Sequence, residues 1–269
     1  MGAHDISLLS LGLSFLLLAV PLSLFIVLKV RLTRRALWSA GRMAVQLALV
    51  GVFLEYLFKL DNSLVNIGWL LVMVSFAAIS VIGSTGISYR AFMLPVLVSL
   101  LVTTMLILLY FNGLVIRLGN LLEARYLIAI AGMLLGNALG GNIFGIGDFF
   151  RSVSRDQNRY HYSLSLGATR YEALSPYLRR SMVAALKPAL ASMATMGLVF
   201  LPGMMTGQVL SGEDPLLAIK YQMAIVTAIF ACVSLSVVFT VLLTVPLSFD
   251  EYGVLKDVFR KGKAPVGPG

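Results

Sequence analysis

The feature that most constrains this chain is a succession of long apolar runs, each about the length needed to cross a bilayer. Seven segments qualify: roughly 6–28, 36–58, 64–83, 91–113, 126–146, 188–211 and 216–247. A spanning helix needs about 20 predominantly apolar residues. The runs lack the period-two alternation of a barrel strand, and in hydrocarbon every backbone group must be bonded within its own segment, so helices are the fold left. The expectation is an all-α polytopic membrane protein with about seven transmembrane helices. Residues 1–260 read as a single membrane domain, with a coupling segment over 147–187. The Gly/Pro-rich tail 261–269 is expected to be disordered. Composition agrees: 59% of residues are hydrophobic and 12% charged, about half the charged share of a soluble domain. The first run has neither a basic leading region nor a small-residue cleavage site, so it reads as a retained helix rather than a signal peptide.

The net charge of +9 would suggest nucleic acid in a soluble protein. Here its distribution excludes that reading. Lys29, Arg31, Arg34 and Arg35 follow the first run; Arg90 follows the third; Arg151, Arg155, Arg159, Arg170, Arg179, Arg180 and Lys187 follow the fifth; Lys256, Arg260, Lys261 and Lys263 follow the last. The alternate gaps are poor in basic residues. Basic loops face the cytoplasm, which predicts an outer N-terminus and a cytoplasmic C-terminus and requires an odd number of spans. Tyr56, Phe58, Tyr110, Phe111, Tyr126 and Tyr221 then fall near the outer boundary, where an aromatic belt forms. Cys232 stands alone, and His4 and His161 are far apart in sequence, so no disulfide framework or Cys-rich metal site is expected, and no metal ligands can be assigned.

The longest polar excursion, 147–187, carries a local architecture of its own. Arg151, Arg155 and Arg159 recur every four residues, as on one helical face; a solvated face near lipid phosphates explains them as well as a partner does. Gly167 suits a helix C-terminus in the left-handed conformation. Thr169 followed by Glu172 is a capping-box pattern. The spacing predicts two helices meeting at a glycine elbow, with Ser175-Pro176 able to kink or restart the second. Such an elbow, continuous with the next span, can transmit a push into the membrane.

These residues carry a resemblance. Leu166-Gly167-Ala168-Thr169-Arg170 resembles the centre of the cytoplasmic coupling motif of ABC-transporter permeases, in which a glycine elbow docks into a cleft of the ATPase. More widely, the chain resembles the FetB-type permease family: iron-export permeases of bacteria, related to plant aluminium-tolerance permeases. The matching residues are Leu37-Trp38-Ser39-Ala40-Gly41-Arg42 with Gln46-Leu47, Ala131-Gly132-Met133 with Gly136-Asn137-Ala138, Ser165 to Thr169, Leu201-Pro202-Gly203-Met204-Met205 with Gly207, and Asp214-Pro215 with Ala218 to Gln222. The resemblance implies an ATPase contact through Ser163, Leu166, Gly167, Ala168, Thr169, Arg170 and Glu172. It also implies a permease homodimer, a separate cytoplasmic ABC ATPase subunit, and a multi-pass place in the bacterial inner membrane. One departure stands out: the importer motif opens with Glu-Ala-Ala six residues before the glycine, and here His161, Tyr162 and Ser163 hold those places. The elbow therefore argues for an ATPase contact and not for import.

No Gly-x4-Gly-Lys-Ser/Thr phosphate cradle occurs in the sequence. The chain is accordingly expected to be a permease subunit and not an enzyme, without a cofactor of its own, ATP and Mg belonging to the partner ATPase.

Two intramembrane features suggest a translocation path. In the sixth run Lys187-Pro188 opens the segment, and Pro202-Gly203 breaks it about 22 Å further on at 1.5 Å per residue. A broken helix persists at depth only when buried in protein or lining a wet cavity. Met193, Met196, Met204, Met205 and Gln208 surround the break; core filling is the plainer reading of the methionines, whose soft thioethers suit Cu(I) better than iron. In the fifth run Gly132, Gly136, Gly140, Gly141 and Gly145 allow close helix approach, with Asn137 and Asn142 beside them; interhelical hydrogen bonding explains the asparagines as readily as a path does. Arg42 and Gln46 share a face of the second run, where Arg42 can snorkel outward. Glu55 and Lys59 are spaced to pair, and Asp214-Pro215 reads as an N-cap and first-turn proline. No carboxylate lies deep in a run. The reading that follows is an ABC permease exporting iron or a related metal species. An ABC permease for a small organic solute or nucleotide sugar, and a non-transporting membrane scaffold, stand as alternatives.

Overall fold

Among the described residues six helices are long and apolar enough to cross a bilayer: Leu9–Val27, Thr33–Leu60, Ser63–Thr85, Tyr89–Ile116, Ala124–Arg155 and Pro215–Ser248. The structure, a computed structural model, describes residues 7–250 and 253–256; the tail 261–269, expected to be disordered, lies outside them. In chain order the helices are α1 (Leu8–Phe15), joined by a 3-10 turn to α2 (Ala19–Val27), then α3 (Thr33–Leu60), α4 (Ser63–Thr85), and α5 (Tyr89–Tyr110), which runs into a π turn over Phe111–Ile116. There follow α6 (Ala124–Arg155), α7 (Gln157–Ser165), α8 (Arg170–Thr195), α9 (Gly203–Leu210) and α10 (Pro215–Ser248). Asp214 caps α10, its side chain accepting from Leu216 N with Pro215 in the first turn, as the Asp-Pro pair predicts.

The segment 188–211 is not one spanning helix. α8 stops at Thr195, and the chain turns through Gly197 (φ 84°) before α9 begins. Leu198 N and Val199 N return to Thr195 O, and Gly197 N bonds Phe200 O at 3.0 Å. The break therefore occupies 196–202, with Pro202 as the N-cap of α9 rather than a kink inside a helix. Two further expectations are corrected. Neither Pro176 nor Pro188 starts a helix; α8 runs through both. And the arginine row is split, because α6 ends at Arg155 and Arg159 belongs to α7.

The core lies among α4, α5, α6, α8 and α10, where Leu70, Val74, Val96, Leu100, Leu127, Leu134 and Val237 are fully buried. By contrast α2 buries no residue, and α3 only Leu57. In lipid there is little hydrophobic gain from bringing helices together; close packing and interhelical hydrogen bonds do it. Of the two glycine rows in α6, one serves this purpose. A Cβ on Gly141 would collide with Val233, and one on Gly145 would come within 2.6 Å of Val237 Cγ1, both on α10. Gly136 and Gly140 face open space. Beside this contact a buried polar seam joins three helices. Asn142 Nδ2 donates to Ser236 Oγ (2.9 Å), Ser99 Oγ donates to Ser236 O (3.0 Å), and Thr240 Oγ1 donates to Ser99 Oγ (2.8 Å).

At the end where α3 meets α4 and α6 begins, side chains tie the loops. Asp61 Oδ1 accepts from Ala124 N at 2.8 Å, placing a carboxylate at the start of α6. Asn66 Nδ2 donates to Leu122 O and Asn112 Nδ2 to Leu121 O, each at 2.9 Å.

Gly145→Ala is expected to lower stability by about 1–3 kcal/mol through overpacking against Val237. Gly140→Ala, which meets nothing, should be neutral or slightly stabilising, because alanine favours the helix. Thermal unfolding of the two purified variants in one detergent checks the contrast.

Candidate functional site

The coupling segment forms an elbow at one end of the bundle. α7 ends at Ser165, Gly167 takes φ 91°, and Ala168 N returns to Ser163 O at 3.2 Å to close the helix end. α8 then opens with a reciprocal capping box: the Thr169 side chain accepts from Glu172 N, and Glu172 Oε2 accepts from Thr169 N at 2.8 Å and from the Thr169 hydroxyl at 2.7 Å. Around this elbow the large side chains point outward: Leu166 is 71% exposed, Tyr162 66% and Tyr171 56%. Leu166, Gly167, Thr169 and Glu172 are exposed together, while Ser163 and Ala168 are half-buried.

Arg170, expected with that outer surface, turns the other way. Its Nη2 donates to Asp250 O at 2.9 Å, and the guanidinium lies over the Phe249 ring at 5.8 Å, within cation–π range. The chain after α10 folds back here: Lys256 N bonds Ser248 O, Asp250 Oδ1 accepts from Val254 N, and Phe249 pairs with Leu255 in a β-bridge. Tyr160 of α7 stacks on Phe249 with centroids 5.4 Å apart. Burial raises the Tyr160 phenol above its ordinary pKa, and the nearby Arg170 charge opposes that rise. Gly253 takes φ 78°, a left-handed conformation that favours glycine, and a Cβ there would lie 2.9 Å from Leu164 Cδ1 of α7. Asp148 of α6 and Arg180 of α8 add an ion pair at 3.6 Å on the same end. The sequence hid this hook, since the polar residues after α10 carry no motif.

At the far end of α8 a cleft of about 400 Å³ opens between α6, α8 and α10. Of the residues expected on a translocation path, Asn137, Met193, Met196 and Pro202 line it. Gly203, Met204, Met205 and Gln208 do not; Met204 packs on the core instead. Asn142 is wholly buried, with its Nδ2 spent on the polar seam. Gly136, Gly140 and Phe144 of α6 complete one wall, and Gln222, Val226, Ile229 and Phe230 of α10 another. Gln222 is not among the residues expected on the path; its place on the buried face of α10, four residues after Ala218, is the signal that could have marked it. Arg42 and Gln46 line an adjoining crevice between α3, α4 and α6, which shares Gly136 with the cleft. Among the described residues no cluster of three or more His, Cys, Asp or Glu could hold a metal ion.

Two measurements test the elbow. Hydrogen bonds from the Thr169 hydroxyl, then from its backbone N–H, hold the Glu172 carboxyl below its usual pKa. A depressed folded-state pKa contributes stability that is complete above the unfolded value and is lost as pH falls through the folded one. Protection of the first turn of α8 against hydrogen exchange, corrected for intrinsic rates, should thus hold from pH 7 to pH 5 and drop below about pH 4; Glu172→Gln should abolish that acid step. Arg170→Ala should release the hook at a cost of about 2 kcal/mol, the range for a hydrogen bond from a charged group, read as faster proteolysis after Phe249.

Comparison with known proteins places this geometry. The model of the family UPF0014, described as an uncharacterised protein family, matches residues 8–249. The chain is 31% identical over 252 residues to the UPF0014 membrane protein YjkA of Bacillus subtilis (strain 168), covering 92% of this chain and 98% of that one. It is 32% identical over 247 residues to the probable iron export permease protein FetB of Escherichia coli (strain K12), covering 91% and 93%. It is 31% identical over 226 residues to the protein ALUMINUM SENSITIVE 3 of Arabidopsis thaliana, covering 80% and 77%. No solved structure matches it significantly. With a match that takes in α1 to α10 and both the elbow and the cleft, the chain belongs to the UPF0014 family of membrane proteins.

Proposed function

We propose that this chain is the transmembrane permease subunit of an ABC transporter in the bacterial inner membrane, exporting iron or a related metal species with energy from ATP hydrolysed by a separate subunit. The observation that carries the reading is α8. Its first turn is the exposed elbow, and its last turns supply Pro188, Ala189, Ser192 and Met193 to the cleft. A helix of 26 residues is about 39 Å long, so one unbroken rod joins a surface suited to a soluble partner to a wall at membrane depth. Displacement of the elbow is carried toward that wall along α8, whose helical backbone continues through Pro176 and Pro188.

The rest of the reading follows from it. The exposed Leu166 and Tyr162 offer an apolar knob to a groove on a cytoplasmic ATPase. The break at 196–202 leads into α9, and α8 with α9 would make a seventh, discontinuous crossing; that count suits an outer N-terminus and a cytoplasmic elbow and C-terminus. Seven crossings are few for a complete ABC pore, which supports a homodimer. A non-transporting scaffold has no use for a helix broken beside a cavity. Iron as cargo rests on the name of the Escherichia coli relative.

Leu166→Glu should leave the fold unchanged, since the side chain is solvent-facing, and should weaken capture of the cognate ATPase by at least tenfold in pull-downs. In proteoliposomes with the ATPase, iron efflux should fall in parallel. An unaltered capture would refute the elbow as the contact. ATPase activity stimulated by an organic solute or nucleotide sugar, and not by iron, would replace the cargo while keeping the class.

A further inference from the structure

One basic cluster in this protein has no counter-charge. No Asp or Glu occurs between Asp5 and Glu55, and that stretch holds Lys29, Arg31, Arg34, Arg35 and Arg42. Elsewhere at the same end of the bundle, Arg155 pairs with Asp156, Arg180 with Asp148, and Arg170 holds the hook. The guanidinium groups of Arg31, Arg34 and Arg35 take part in no ion pair or hydrogen bond among the described residues. Yet they surround one space. With Thr33, Leu37 and Trp38 they line an open cavity of about 950 Å³ at the bend between α2 and α3. Leu37 and Trp38 both stand exposed there. Three guanidinium forks, a hydroxyl and an indole suit a phosphate at a membrane surface. Arginine presents paired donors that match phosphate oxygens, and tryptophan settles at headgroup level.

The cavity lies in the leaflet nearest the elbow. α3 ends beside the start of α6, where Asp61 accepts from Ala124 N. The first turn of α3 therefore stands at the opposite end, where α6 finishes and α7 begins. At that end α3 has no buried residue. Its one buried side chain, Leu57, is about 36 Å along the helix from Thr33, and Phe53, stacked on Trp69 at 4.3 Å, is only one turn nearer. Between the arginines and that anchor, the crevice lined by Arg42 and Gln46 separates α3 from α4 and α6. α2 buries nothing and gives no support. Like charges gathered in the first turn of a helix also repel one another and oppose its dipole. This end of α3 thus lacks both an anion and an anchor.

We propose that Arg31, Arg34 and Arg35, with Thr33 and Trp38, bind the phosphate of an anionic phospholipid from the elbow-side leaflet, and that the bound headgroup fixes the unanchored end of α3. Basic clusters beside a spanning helix attract anionic lipid; here the forks and the indole make one defined seat for it. The site needs a membrane but no ATPase, so its failure leaves the permease reading untouched.

The full chain is reconstituted in nanodiscs of phosphatidylcholine, with or without phosphatidylglycerol. Phosphatidylglycerol should slow hydrogen exchange at the α2–α3 bend and in the first turns of α3, and native mass spectrometry after transfer to detergent should find it retained. Arg34→Gln and Arg35→Gln should each weaken retention about fivefold, the share of one basic residue at an anionic surface. The double variant should exchange in phosphatidylglycerol discs as the wild type does without that lipid. Arg34→Lys with Arg35→Lys keeps the charge that sets topology and should still retain less lipid than the wild type, because an ammonium group lacks the fork. Arg159→Gln, which removes an exposed charge of α7 outside the cavity, should behave as wild type. Unchanged protection of α6 in each variant separates lost lipid from lost folding. Equal exchange in the two lipids, unaltered retention in either double variant, or an equal loss in Arg159→Gln would each overturn the site. Inorganic phosphate giving the same protection in phosphatidylcholine discs would overturn the lipid as its occupant.

Discussion

The close contact of α6 with α10 is the constraint on which the rest of this membrane protein depends. In lipid, apolar side chains gain little by leaving the bilayer for a neighbouring helix, so association needs backbone proximity and directional bonds. Gly141 and Gly145 supply the proximity by giving way to Val233 and Val237. Asn142, Ser236, Ser99 and Thr240 supply the bonds and draw α5 into the same joint. Once α6 and α10 are locked, the positions of their other faces follow. The open glycines Gly136 and Gly140 and the buried Gln222 are brought to one cleft, which Gly141 and Val233 of the joint also line.

That joint also explains how two distant features share a frame. α10 runs from Pro215, past Gln222 and the seam, to Ser248, where the chain folds back and meets the elbow. α8 runs the other way, from the elbow to the cleft. The two helices therefore connect the same two places, one through the Arg170–Asp250–Phe249 contact and one through continuous backbone. In the proposed transporter a displacement of the elbow reaches the cleft along both. Arg170 is then a strap between coupling segment and last helix.

Much of this was legible in the residues because it depends on local physics. Long apolar runs marked the helices, since hydrocarbon leaves the backbone no other partner. Gly167 and the Thr169/Glu172 pair marked the elbow, since capping needs only neighbours in sequence. Asp214-Pro215 marked the start of α10, and Glu55 and Lys59 pair at 2.7 Å as their spacing demands. The break near Pro202 was visible too, but its extent was not. Gly197 begins the turn, and whether a glycine turns or packs depends on what surrounds it. For the same reason the glycine rows of α6 could not be told apart: their periodicity is shared, and only the position of α10 makes one row a contact and the other a cleft wall.

The sequence by itself determined that the chain is helical, membrane-embedded and provided with a capped elbow in a polar segment, because hydropathy, turn chemistry and capping act within a few residues. Only the tertiary structure decided what the polar side chains are for. Asn142 and Asn137 look equivalent along the chain, yet one is consumed by Ser236 and the other lines a cavity. Arg170 reads as part of a docking motif, yet it holds the return of the chain after α10. Gln222 reads as an ordinary residue of a long helix until its carbonyl is found buried and unpaired. Partners far apart in sequence settle each of these, and no local rule specifies which helix will stand beside which.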